Sequence, residues 1–261
     1  MKAELLTITP ALAKQMLERN TGNRAMNRMH VEALAKEMMC GRWKVNGDTI
    51  CVNAFRLIDG QHRLAAVVSS GVTIQSFVVD GLPSDVFDTI DVGKRRSAAD
   101  TLGVRGEINS YRLAACLIVI DKYVTGRADK QVAYSNTEVE ELLQKYPGAR
   151  NSLQTKDNSC IGLILPSVLD ACHYLFSSKS PEMADEFVKK VLHGTELKEG
   201  DPYYILRERL MRNSLAKAKL AKPYIMALCI KAWNHVRSGT RCRTLKYCEE
   251  GTTTEQYPVV R

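Results

Sequence analysis

No stretch of this chain stays apolar for the roughly 18 residues that a membrane-spanning helix needs. The opening residues, MKAELLTITPALAKQ, lack the apolar core of a secretory leader. None of the eight cysteines forms a Cys-x-x-Cys pair, and no His/Cys spacing suits a zinc ion, so no metal site is expected. Internal repeats and low-complexity tracts are also missing. These absences argue against a membrane protein, a disulfide scaffold and a zinc module, and they point to the reducing cytoplasm. The cysteines sit in apolar runs, such as Ala115-Cys116-Leu117 and Leu228-Cys229-Ile230, and are expected to behave as small buried hydrophobes.

Acidic residues are scarce in one region. Between Tyr203 and Tyr247 there are eleven Lys/Arg (Arg207, Arg209, Arg212, Lys217, Lys219, Lys222, Lys231, Arg237, Arg241, Arg243 and Lys246) against a single Glu208. That region therefore carries +10 of a chain whose net charge is +8, leaving −2 for the rest. So concentrated a charge attracts polyanions across about a Debye length, near 8–10 Å. Arg207, Arg212, Lys217, Lys219, Lys222, Arg241 and Arg243 are the candidate nucleic-acid contacts. Trp233, Tyr203, Tyr204 and Tyr224 interleave with them; at helical spacing such aromatics are more often core than base-stacking platforms.

The chain has 261 residues, with 45% apolar and 25% charged, enough for one large or two smaller globular domains. Thr9-Pro10 opens a helix to Leu17, with Thr9 as N-cap. Val31, Leu34, Ala35, Met38 and Met39 give residues 28–40 an amphipathic helical period. Strands are expected at 49–52 and 55–58, joined through Asn53-Ala54, and at 72–79; a helix is expected at 61–70. Short helices at 83–90 and 97–102 flank a loop containing Gly93. Beyond Gly106 nearly every segment has helical period: 107–124, 137–145, 161–178, 181–193, 202–220 and 223–237. The expected organisation is α+β over 1–105, all-helical over 106–250, and a poorly ordered tail over 251–261.

The most informative stretch is Arg56-Leu57-Ile58-Asp59-Gly60-Gln61-His62-Arg63-Leu64-Ala65-Ala66. Asp-Gly often marks a hairpin, but Leu64-Ala65-Ala66-Val67-Val68 beyond it lacks strict alternation, so a strand-to-helix junction is expected. Asp59 would cap the helix, and Gly60 would let a ligand approach the backbone. The helix start offers unpaired N–H groups and a partial positive charge. Arg63 can fork onto phosphate oxygens, and His62 can donate or act as acid or base. A cation in a first helical turn opposes the helix dipole, which favours a role towards a ligand. A helix terminus contributes about 0.3–2 kcal/mol, and a charge-assisted contact about 1.5–3 kcal/mol. Together these reach about millimolar affinity, so further donors are needed. Lys94, Arg95 and Arg96 after Gly93 are candidates, as is Arg24 in the polar cluster of Asn23, Arg24, Asn27 and Arg28. Among carboxylates, Asp59, Glu32, Glu37 and Asp91 are candidates for Mg²⁺ or base roles; Glu32, nearer the helix start, is preferred.

The order of Asn/Arg loop, amphipathic helix, Gly41-Arg42-Trp43, two strands, LIDGQHRLAA, Gly71 and a β-rich strand resembles the ParB/sulfiredoxin-like superfamily over about residues 20–82. The resemblance implies a fold in which the Gly-x-x-Arg segment, here Gly60, Gln61, His62 and Arg63, binds nucleotide phosphates. ParB proteins are CTP-dependent DNA clamps with two adjacent arginines where this chain has His62-Arg63. Sulfiredoxins place their catalytic cysteine where Gln61 stands, which speaks against that chemistry. Free-serine kinases of the superfamily carry an Asp-Gly-His-His-Arg type string, and DGQHR strings occur in ATPases linked to DNA modification. The whole combination is similar to ParB-like proteins of phages and mobile elements. The resemblance implies ATP or CTP with Mg²⁺, DNA as partner, and a permitted homodimer. Asp59, His62 and Glu32 are the candidate catalytic groups for NTP hydrolysis or phosphoryl transfer, a small-metabolite kinase included; the non-catalytic alternative is a DNA-binding regulator or partition-type factor.

Overall fold

A computed structural model describes residues 1–23, 25–83, 86, 96–153, 162–248 and 255–261. The chain divides into two compact units, Met1–Lys94 and Arg95–Arg261. The division falls before the expected position near 105, because helix α4 (Ala98–Val104) buries Ala99 and Leu102 with Leu113, Leu117 and Val139 of the second unit.

The first unit is α+β. Its elements are β1 (Lys2–Ile8), α1 (Pro10–Leu17), α2 (Arg28–Met39), β2 (Ile50–Val52), β3 (Leu57–Asp59), α3 (Gln61–Ser70) and β4 (Ile74–Asp80). The strands form one mixed sheet in the order β1-β4-β2-β3. β1 runs antiparallel to β4, from Lys2 opposite Asp80 to Ile8 opposite Ile74. β2 runs parallel to β4 and antiparallel to β3. Along β4, Ile74, Ser76 and Val78 are buried while Gln75 and Phe77 are exposed, so one face of the sheet meets the helices. Ile8, Ile50, Leu57, Leu64, Val67 and Val78 form the core there with Val31, Ala35 and Met38 of α2.

Strand β1 is not among the expected elements. It is an edge strand whose side chains are nearly all exposed, so it lacks the alternation that betrays a half-buried strand. Backbone pairing with β4 orders it instead. The β2–β3 connection is built by Asn53, whose Oδ1 accepts from Phe55 N–H and Arg56 N–H at 2.9 Å each. The expected helix at 83–90 lies almost wholly outside the described residues.

The second unit is helical: α4, α5 (Ser110–Val124), α6 (Asn136–Lys145), a 3₁₀ helix (Pro147–Ser152), α7 (Pro166–Ser177), α8 (Pro181–His193), α9 (Pro202–Leu215) and α10 (Lys222–Arg237). Ser97 and Ser135 start α4 and α6 with capping boxes closed by Asp100 and Glu138. Trp233 is fully buried and stacks on Phe176 at 4.3 Å, while Phe187 meets both rings edge-on. Cys116, Cys172 and Cys229 are buried, as expected. The Cys229 contact and burial hold the Cys172 thiol well above its ordinary range, and burial pushes the Cys116 thiol up. Cys40 departs from the expectation by being exposed.

Two expectations need correction. Helix α9 stops at Leu215 rather than 220, because the Asn213 Oδ1 accepts from Leu220 N–H at 2.7 Å and turns the chain. The tail is also not loose over its described part. Trp233 Nε1 donates to the Arg261 carbonyl at 3.0 Å, Val260 N–H donates to the Tyr123 hydroxyl at 2.8 Å, and Val260 is buried.

Asp121 on α5 is the main buried acid among the described residues that gathers several donors. Lys145 Nζ (3.1 Å), Tyr146 OH (3.0 Å), Tyr134 OH (2.9 Å) and Arg127 Nη2 (3.3 Å) converge on it. Burial pushes its carboxyl up, but the hydrogen bonds from Lys145, Tyr134 and Tyr146 outweigh burial and hold it below the usual carboxylate range. A depressed folded-state value contributes stability that is complete above the unfolded value, about 3.9, and is lost as pH falls through the folded value. We therefore expect Asp121→Asn to lower the unfolding midpoint at pH 7 and to flatten the loss of stability below about pH 4. Thermal unfolding across that range checks this; a variant with wild-type midpoints at every pH would contradict it.

Candidate functional site

The DGQHR string falls where the sequence places it, between β3 and α3, but its parts take different roles from those expected. Gly60 adopts φ +100°, and a Cβ there would meet Ile50 Cγ1 at 3.1 Å and the Ile50 Cα and Cβ at 3.3 Å. Its missing side chain makes room for β2. Asp59 does not cap α3, since Gly60 itself occupies the N-cap position with no side-chain hydrogen bond. The Asp59 Oδ2 instead accepts from Arg63 Nη2 at 3.0 Å, one helical turn on. The Arg63 side chain is 15% exposed, and its Nη1 is buried with no hydrogen-bond partner among the described residues.

Gln61 and His62 are buried. Gln61 Oε1 accepts from Asn20 Nδ2 at 3.0 Å, and Asn23 Nδ2 reaches both Asn20 Oδ1 (2.6 Å) and the Leu57 carbonyl (2.8 Å). His62 Nε2 accepts from Asn27 N–H at 3.0 Å, which places the ring proton of a neutral imidazole on Nδ1. Asn27 Oδ1 in turn accepts from His30 N–H at 3.2 Å, starting α2, and the His30 ring lies 5.1 Å from His62. The loop before α2 is thus fastened to the first turn of α3 through its asparagines. The repeated asparagines at 20, 23 and 27 are the available sign of this in the sequence; the roles of Asn20 and His30 go beyond the expectation.

Glu32 is not gathered into this group. It pairs with Arg28 at 2.9 Å, and its side chain is 59% exposed. Two residues beyond His30, it points about 200° around α2 from the ring that meets His62. Arg24, Lys94 and Arg95 lie outside the described residues, as does Asp91. Arg96 belongs to the helical unit, where it is exposed and its carbonyl accepts from Asn136 Nδ2 at 3.0 Å. Among the described residues no group of three His, Cys, Asp or Glu side chains is placed to hold a metal ion.

The basic region of the helical unit separates into two kinds of cation. Arg207 Nη1 donates to the Val191 and Leu192 carbonyls, the latter at 2.8 Å, and so closes the end of α8. Lys219 Nζ donates to the Asn213 carbonyl at 3.2 Å and to that of Ser214, closing α9. Lys231 pairs with Glu255 at 2.8 Å. Arg207 and Lys219 therefore spend donors on the fold while keeping their charge. Arg212 pairs with Glu208 at 3.1 Å on the surface. Lys217, Lys222, Arg241 and Arg243 are exposed. Trp233 and Tyr203 are core residues, while Tyr204 and Tyr224 are half-buried.

No family model, curated protein or solved structure matches this chain.

Gly60 and Gly71 bracket α3, both in the left-handed region, at φ +100° and +69°. A Cβ at Gly71 meets nothing within 4 Å, whereas one at Gly60 strikes β2. Gly71→Ala is expected to lose about 1–2 kcal/mol of stability from backbone strain alone, and Gly60→Ala distinctly more. Denaturant unfolding of the two variants checks this; equal losses would show that the Ile50 contact yields without penalty.

Proposed function

We propose that the first unit is a ParB/sulfiredoxin-like domain that binds a nucleoside triphosphate, ATP or CTP, at the start of α3, and that the basic helical unit engages DNA. A single observation carries the first half. Arg63 holds Asp59 with one terminal nitrogen, while the other is buried and unpaired among the described residues. A buried donor without an acceptor is unfavourable by about 1–3 kcal/mol, more when charged, and an incoming phosphate oxygen would satisfy it. Mg²⁺ would arrive largely with the phosphates, with Asp59 the nearest carboxylate to Arg63 able to share it.

The surroundings favour binding over phosphoryl transfer. His62 Nε2 already accepts a hydrogen bond, Asp59 is paired with Arg63, and Glu32 is paired with Arg28 on the exposed side of α2. None of these three candidate catalytic groups stands ready as a base. This supports a nucleotide-binding DNA regulator, of the ParB-like kind found in phages and mobile elements, over a metabolite kinase.

Titration of ATP, CTP and ADP with Mg²⁺ against the wild type, Arg63→Ala and Arg63→Lys tests the site. Loss of a charge-assisted contact of about 1.5–3 kcal/mol should weaken the preferred nucleotide by roughly 10- to 150-fold in Arg63→Ala, with partial recovery in Arg63→Lys. Equal binding by wild type and Arg63→Ala, or no binding of any nucleotide by the wild type, would remove the phosphate site.

A further inference from the structure

Several cations of the helical unit converge where the fold gives them no employment. A cleft of about 320 Å³ opens between α9, the start of α10 and residues 243–246. Arg209, Arg212, Arg243 and Lys246 line it, with Glu208 as its one acid among the described residues and Tyr224 in its wall. Glu208 is already engaged by Arg212 at 3.1 Å and by the Tyr204 hydroxyl at 3.5 Å. Arg209, Arg243 and Lys246 make no side-chain hydrogen bond or ion pair among the described residues. Elsewhere in the same basic stretch, Arg207 and Lys219 close helix ends and Lys231 meets Glu255. The cleft therefore collects cations left over after the structural ones are assigned, and among the described residues four cations against one acid leave it a net +3.

Like charges on adjacent turns and facing segments repel, and a concave wall focuses their field. Tyr224 adds a neutral donor. Its hydroxyl accepts from Tyr247 N–H at 3.4 Å, and its ring rests edge-on against Tyr247 at 5.9 Å, which leaves the hydroxyl proton available to a ligand oxygen. Planar guanidinium groups, an ammonium and a phenol at one cleft are the donor set for phosphate oxygens. The volume is at the lower end of ligand sites, suited to a nucleotide-sized piece of a larger molecule.

We propose that this cleft seats consecutive phosphates of a DNA strand, with Arg209, Arg243 and Lys246 as the neutralising groups and Tyr224 as a positioning donor. This rests on the proposal that the helical unit engages DNA, and it places that engagement at the α9/α10 cleft instead of spreading it over all eleven basic residues.

The test is DNA affinity across salt concentration for the full chain, comparing wild type with Arg209→Ala/Arg243→Ala/Lys246→Ala. A control, Lys179→Ala/Lys189→Ala, removes exposed cations of the helical unit outside the cleft, and Arg209→Lys/Arg243→Lys keeps its charge. Each phosphate contact contributes about 0.9 to the log–log slope. The triple variant should therefore be shallower by roughly 2 to 3, with the control and the lysine variant near wild type and unfolding midpoints unchanged. An unaltered slope in the triple variant overturns the cleft while leaving DNA binding standing. No salt-dependent DNA binding by the wild type overturns both. ATP binding that is lost in the triple variant but kept in Arg63→Ala, without any change in DNA affinity, overturns the strand assignment in favour of a free nucleotide.

Discussion

Two polar side chains at the first turn of α3, Gln61 and His62, are buried, and buried polar atoms must find partners. That requirement organises the α+β unit. The loop before α2 supplies the partners: Asn20 for Gln61, the Asn27 amide for His62, and Asn23 to tie Asn20 to the Leu57 carbonyl of β3. The Arg19 carbonyl closes the same seam by accepting from Leu57 N–H at 2.9 Å. One set of hydrogen bonds thus fixes the end of α1, the start of α2, strand β3 and the start of α3. Arg63 sits directly after this anchored turn, so its guanidinium is carried by a segment held from several sides.

Charge in the helical unit obeys a related constraint. A helix end leaves carbonyls without intrahelical donors, and burial makes them costly. Arg207 and Lys219 meet that need at α8 and α9. A residue count treats these cations as equal to Arg209 or Arg243, although their donors are already occupied. Once the helix ends are satisfied, the donors still open to a polyanion are fewer and more localised than the eleven basic residues of the sequence suggest, although the charge itself is unchanged.

Local signals are legible where local chemistry decides the outcome. Thr9 caps α1 through Leu12 N–H, Pro10 begins it, Asp201 caps α9, and Trp233 and Tyr203 are core residues, all as their spacing indicates. Long-range partners are not legible. Strand β1 depends on pairing with β4, some seventy residues away, and shows no alternation of its own. The docking of Val260 depends on Tyr123 and Trp233, which its neighbours in sequence do not announce. Asp59 is the instructive failure. An aspartate before a helix is a good cap by composition, but Gly60 takes the cap position at φ +100° and turns the carboxylate towards Arg63.

That turn also changes what Arg63 means. A cation in a first helical turn opposes the dipole by about 0.3–1 kcal/mol, which on composition alone suggests a ligand. With Asp59 beside it, the local charge is balanced and the dipole conflict largely disappears. A pair of this kind, 15% and 25% exposed, is a common structural device and by itself says nothing of phosphate. What survives is narrower and rests on geometry. Asp59 satisfies one terminal nitrogen and leaves the buried Nη1 without an acceptor among the described residues. A guanidinium held in place by one carboxylate through Nη2 keeps Nη1 for one further oxygen. The phosphate assignment therefore depends on that one nitrogen rather than on the composition of the DGQHR string.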